Sequence, residues 1–128
     1  MKPKVMFIIA AVYGLLVGLP SIVAPQAMES MVNLQLSPTM LMMVRFLGIA
    51  EFGLGLIAWL VRNAEASKTR NALLLGYTIY FALHALTSLY GQFTDTEVHV
   101  HWVMVIVQGF IAIGFIAASG SKIPKTES

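Results

Sequence analysis

Apolar residues in this chain fall into four long runs, separated by three shorter stretches where polar and charged residues gather. The runs cover about residues 5–23, 38–61, 72–91 and 100–118. Each is near the roughly 20 residues that a helix needs to cross a hydrocarbon core. Closely spaced runs favour helices that alternate in direction. The pattern therefore predicts an all-α, polytopic membrane protein: a four-transmembrane-helix up-down bundle forming a single integral membrane domain over residues 1–128.

The first run follows Met1-Lys2-Pro3-Lys4. It is longer than the 7–15 residue apolar core usual in a signal peptide, so it is read as the first membrane helix. Gly14 and Gly18 lie four apart, with Ala11 extending their face; this spacing lets two helices approach closely in lipid, either within the bundle or at a dimer interface. Pro20 is expected to kink or end the helix. Residues 24–36 are too sparsely apolar to span, and a short helix lying in the interface is expected there. Ser37-Pro38 has the pattern of an N-cap followed by proline at the first helical position.

The second run carries two ionisable residues, Arg45 and Glu51. On insertion scales each costs about 2.5–3.5 kcal/mol in hydrocarbon, so each must find protein, water or a partner. Six positions apart, they point about 120° away from one another on a helix. Arg45 can snorkel to the outer headgroups or serve a ligand. Glu51 lies too deep to escape, and is either a hydrogen-bonded structural carboxyl or a ligand- or proton-handling group. Gly48 and Gly55 give the Arg45 side a flat strip for a neighbouring helix.

Residues 62–71 (RNAEASKTRN) read as a polar loop. In the third run Tyr77, Tyr80, His84, Thr87 and Gly91 recur on one helical face. Lipid offers such a face no hydrogen bonds, so it should turn inward. With antiparallel neighbours, His84 falls about 5 Å in depth from Glu51, close enough for the two to lean on one another. The alternative is a histidine satisfied structurally. Glu97, His99 and His101 alternate and would share one side of an extended chain as a metal clamp, or else form a solvated helix start anchored by Trp102. The fourth run holds Gln108 as its one strongly polar interior residue, with Gly109 and Gly114 available for packing. The tail after Ser119 is expected to fray. A haem within one copy is disfavoured, because His84 and His101 are separated by roughly 25 Å of helix path.

Composition agrees with the pattern: 58% of residues are hydrophobic and 11% charged. Cysteine is absent, which excludes disulfides, thiol redox chemistry and Cys-ligated metals. No phosphate loop, dinucleotide fingerprint, nucleophile elbow or zinc-protease motif occurs, so soluble-enzyme chemistry has no support. The basic residues Lys2, Lys4, Arg62, Lys68, Arg70, Lys122 and Lys125 fall at one side of a four-span bundle; Glu29, Asp95 and Glu97 fall at the other. The positive-inside rule then makes both termini cytoplasmic. These charges carry topology and form no nucleic-acid footprint. Trp59 falls at the inner interface, Tyr90 and Trp102 at the outer one.

The segment Arg45-Phe46-Leu47-Gly48-Ile49-Ala50-Glu51-Phe52-Gly53-Leu54-Gly55 resembles the arginine-glycine-glutamate helix of DoxX-like small four-helix bacterial membrane proteins. The resemblance implies a bacterial inner-membrane location and, in a few members, service beside redox or quinone-linked enzymes. It marks Arg45, Gly48 and Glu51 as the matching positions.

Three functional classes follow, in this order. The first is an accessory or structural subunit of a larger membrane complex, built from other membrane subunits or a homo-oligomer in the lipid bilayer. The second is a redox component binding a quinone, lipid or other small molecule through Arg45, Glu51, Tyr77, Tyr80 and His84. The third is an oligomeric pore or carrier. Any bound small molecule is expected between the second and third spans.

Overall fold

The computed structural model describes residues 2–95, 97 and 101–120. Five helices follow one another: α1 (Pro3–Val23), α2 (Ala27–Val32), α3 (Pro38–Val61), α4 (Lys68–Thr94) and α5 (His101–Ser119); the described residues contain no strand. All but α2 are long and apolar enough to cross a membrane. Large apolar side chains such as Leu16, Phe46, Leu60, Ile106 and Phe110 stay exposed around the outside. That surface suits lipid, and the chain is a multi-pass membrane protein by this measure.

Helix ends follow local chemistry. Ser37 Oγ accepts from Met40 N–H at 3.2 Å and Pro38 opens α3, as the sequence pattern requires. Helix α4 is longer than its apolar run at both ends. Ser67 Oγ accepts from Arg70 N–H and starts the helix at Lys68, so the expected polar loop shrinks to residues 62–67. An apolar run measures the hydrocarbon thickness, whereas a helix continues into water wherever a cap allows. Pro20 does not end α1, which runs on to Val23. So near a C-terminus, proline removes only one intrahelical bond. Short α2 ends on Asn33, whose φ of 55° is left-handed, and Glu29 accepts from Leu36 N–H at 3.0 Å to hold the turn into α3. The start of the fourth span at Val100, and the tail with Lys122 and Lys125, lie outside the described residues.

Contacts between the long helices show the alternation of direction. Gly14 lies against Gly55 and Gly18 against Gly48, so α1 and α3 run antiparallel. Tyr77 reaches Leu54 across α3 and α4, and Gly91 meets His101 while Ala85 meets Gly109 across α4 and α5. Phe7–Phe115 and Tyr13–Gln108 close the ring between α1 and α5.

The two halves of this ring are held differently. Between α1 and α3 the backbones touch: a Cβ added to Gly14 would come within 2.6 Å of Gly55 Cα and of the Glu51 carbonyl oxygen, and one on Gly18 within 2.6 Å of Phe52 N. Lipid gives no hydrophobic drive between helices, so close backbone approach and dispersion supply the adhesion. The four glycines are thus used inside the bundle. Helices α4 and α5 also pack closely, whereas α3 and α4 stay further apart and are bridged by tyrosines. Phe115 forms the centre of the core, stacked on Tyr77 (5.3 Å, 11°) and Phe81 (6.0 Å, 13°), with Phe7 set edge-on at 5.8 Å.

Candidate functional site

Half-way along the bundle, polar side chains from all four long helices converge. Glu51 on α3 is only 3% exposed. The α1–α3 contact at Gly14 brings the two backbones together there, and Tyr80 of α4 stands within interaction distance of the Glu51 side chain. Tyr13 of α1 also lies within electrostatic reach of Glu51. A buried carboxyl without polar neighbours would be costly; here two phenolic groups stand near it.

A second cluster adjoins the first. Gln108 on α5 is 4% exposed and donates from Nε2 to the Tyr13 hydroxyl at 2.8 Å, with His84 Nδ1 at 3.5 Å from the same nitrogen. Its Oε1 accepts from the Ser88 hydroxyl at 3.3 Å. Tyr80 joins the clusters, because its ring lies 4.5 Å from the His84 ring while its side chain stands within interaction distance of Glu51. No hydrogen bond or ion pair joins Glu51 directly to His84 among the described residues. The expected pairing is therefore relayed through Tyr80 on one side and through Tyr13 and Gln108 on the other.

Of the five residues singled out from the sequence, three come together: Glu51, Tyr80 and His84. Tyr77 lies one turn along α4 but is committed to the core, donating to the Leu54 carbonyl at 2.5 Å and stacking on Phe115. Its donor fills a carbonyl on the loosely packed α3–α4 seam. Arg45 stays apart. It is half-buried, six residues up α3 from Glu51, and makes no hydrogen bond or ion pair among the described residues. Gly48, the middle of the arginine-glycine-glutamate pattern, packs against Ser21 Cβ and the Gly18 carbonyl of α1. The pattern thus divides into one packing position, one site position and one unpaired cation.

Two members of the network lie outside the third run, Tyr13 and Gln108, while Ser88 lies in it one turn beyond His84. Gln108 is conspicuous as a lone amide in an apolar helix, and a lone amide in lipid demands partners. Tyr13 supplies one from beside the glycine face of α1.

Two hollows open beside Tyr80. One, of about 340 Å³, lies between α3 and α4 against Leu54, Ile57, Leu73, Gly76 and Tyr77. The other, of about 350 Å³, is bounded by Tyr80, Leu83, His84 and Thr87. Both have the size of the smaller drug-sized sites; the first has apolar walls with few polar groups, and the second adds Leu83 to three polar-tipped side chains of α4. The seam is roomy because bulky tyrosines, rather than glycines, separate α3 from α4.

The suggested metal clamp takes another form. His99 lies outside the described residues. His101 turns its ring over Gly91, where a Cβ would sit 2.8 Å from Cε1, and its Nε2 lies 3.7 Å from Asp95 Oδ2. Among the described residues no group of three or more metal-ligating side chains is assembled. His101 also stands level with Gly91, seven residues along α4 from His84, so their separation in depth is about 10 Å rather than 25 Å. The rest of the roughly 25 Å helix path is the turn between α4 and α5, which adds no depth and so does not disfavour a haem.

No protein family, curated protein or solved structure matches this chain.

Proposed function

We propose that the protein binds a small amphipathic molecule, with a ring-bearing, hydrogen-bonding head and an apolar tail, in the seam between α3 and α4. The observation that carries this reading is the position of Tyr80. It lines both hollows, stands within interaction distance of the buried Glu51 and touches the ring of His84. A head entering from the lipid meets aromatic walls, the Tyr80 hydroxyl and the imidazole, while its tail stays among Leu54, Ile57 and Leu73. Quinones belong to this class, and a redox component of a bacterial inner membrane fits it. Both termini are then cytoplasmic, by the distribution of Lys and Arg.

A second reading, an accessory subunit of a larger membrane complex, draws on the short described connections, which offer little surface for a soluble partner. Its support from close-approach glycines is reduced, since Gly14, Gly18, Gly48 and Gly55 are consumed between α1 and α3. A pore or carrier drew on Arg45 and Glu51 together. Glu51 is enclosed by Tyr80, which leaves only Arg45 for that role.

Extraction of native membranes into nanodiscs, followed by solvent extraction of the purified protein, tests the proposal. A stoichiometric non-phospholipid molecule that is lost in Glu51→Gln supports it. Its presence at the same level in that variant, or its absence from the wild type, contradicts it.

A further inference from the structure

A third hollow lies elsewhere, on the outer side of the α1–α3 contact. It is an open groove of about 350 Å³ with Ala11 and Gly55 as its floor and Val12, Leu15, Leu56 and Trp59 among its walls. No polar side chain lines it. Neither Glu51 nor any other residue of the polar network belongs to it, so what it holds is independent of the α3–α4 site.

We propose that this groove seats one acyl chain of an anionic phospholipid whose phosphate is held by Arg62 and Lys4. Three features of the groove select this occupant. The first is its length. Its lining on α3 runs from Phe52 to Trp59, and from Phe52 to Arg62 the helix rises about 15 Å, half of the roughly 30 Å hydrocarbon core. A lipid chain occupies one leaflet. A helix from a second copy would need a stripe running the full length of α3.

The second feature is the cation at the groove's end. Arg62 lies with Cζ 3.7 Å from the centroid of the Trp59 ring, the wall residue nearest that end, and donates from Nη1 to the Trp59 carbonyl at 2.5 Å. Stacking fixes the guanidinium plane while most of its five donors remain free for a phosphate. The third feature is a second cation at the same end. Lys4, Ala11 and Leu15 are spaced by seven and four along α1, so they share one face, and Gly55 packs against both Gly14 and the Ala11 carbonyl of antiparallel α1, which brings Lys4 within about one helical turn of the level of Arg62. Neither cation forms an ion pair among the described residues; the nearest acid in sequence, Glu65, is exposed and pairs with neither. The end of the groove therefore carries positive charge, and a zwitterionic headgroup answers it less well than an anionic one.

The chain has two tryptophans, so Trp102→Phe leaves Trp59 as the single reporter in the groove wall. This variant is placed in phosphatidylcholine vesicles that contain a rising fraction of lipid brominated on its chains, either phosphatidylglycerol or phosphatidylcholine. Bromine quenches indole on contact. Half-maximal quenching is expected at a roughly 25-fold lower fraction of the phosphatidylglycerol, from two cations at about 1 kcal/mol each. At about 1 kcal/mol per cation, each of Arg62→Gln and Lys4→Gln should reduce that preference by about fivefold. Arg62→Lys should retain part of it and Lys68→Gln all of it. Because the two lipids are compared within each variant, a change in the intrinsic emission of Trp59 cancels. High salt provides a second check on the unaltered cations and should narrow the preference. Equal quenching by the two lipids would overturn the headgroup site, and absence of quenching by either would show that protein, such as a second copy, covers the groove.

Discussion

Gln108 Nε2 donates to the Tyr13 hydroxyl at 2.8 Å, and this bond ties the last helix to the first. The same amide touches His84 and accepts from Ser88, so one side chain links α1, α4 and α5. Gln108→Leu should therefore lower thermal stability by about 1–2 kcal/mol, near the upper end of measured intramembrane hydrogen bonds. Ser88→Ala should cost a few tenths. Equal, negligible effects from both would show that the amide is not the joint.

Gly14→Ala and Gly18→Ala should each destabilise by about 1–3 kcal/mol, because the new methyl meets α3 backbone at 2.6 Å and neither helix can yield without breaking the contact. Gly53→Ala and Gly76→Ala have open space around the added atom and should be neutral or slightly stabilising. Thermal unfolding of the four variants in one detergent separates the two groups. Indifference at Gly14 and Gly18 would mean that α1 and α3 are not in backbone contact.

Glu51→Gln and Tyr80→Phe should be non-additive by about 0.6–1.7 kcal/mol in a double-mutant cycle, since the two side chains stand within interaction distance of one another. Glu51→Gln with Ser88→Ala, which share no partner, should add within about 0.5 kcal/mol. A cycle with no coupling at Tyr80 would remove the relay between Glu51 and His84.

Reporter fusions should place both termini in the cytoplasm and residues 24–36 on the opposite side, following the Lys and Arg distribution. Activity of a periplasm-dependent reporter at the C-terminus would reverse the threading.

The four long helices were legible because hydrophobic run length is a direct image of membrane thickness, and Ser37-Pro38 was legible because caps act locally. Helix α4 was read short for the same reason: Lys68 to Asn71 and Gln92 to Thr94 are helical by capping, and hydropathy is blind to that. The α1–α3 contact was foreshadowed by Gly14, Gly18, Gly48 and Gly55, each on a face of its own helix. Which glycine met which was not, since pairing between helices has no periodicity along one chain. The candidate site was half legible. Glu51, Tyr80 and His84 share an evident demand for partners in lipid, but Tyr13 and Gln108 became partners only through the closure of α5 onto α1. Arg45 shows the limit of such reasoning, because an intramembrane charge announces a need without saying where it is met.

Native mass spectrometry of the protein released from native-membrane nanodiscs tests the central claim most directly, with Gly76→Leu as the decisive variant. Gly76 lines the α3–α4 hollow, a Cβ added there meets open space, and the residue is no member of the polar network, so leucine projects into the cavity while Glu51, Tyr80 and His84 are retained. The wild type should carry one small non-phospholipid molecule per chain, and the Gly76→Leu protein, folded by circular dichroism, should carry none. A bound molecule retained by the leucine variant, or a wild type that emerges with phospholipid alone, would contradict a binding site in this seam.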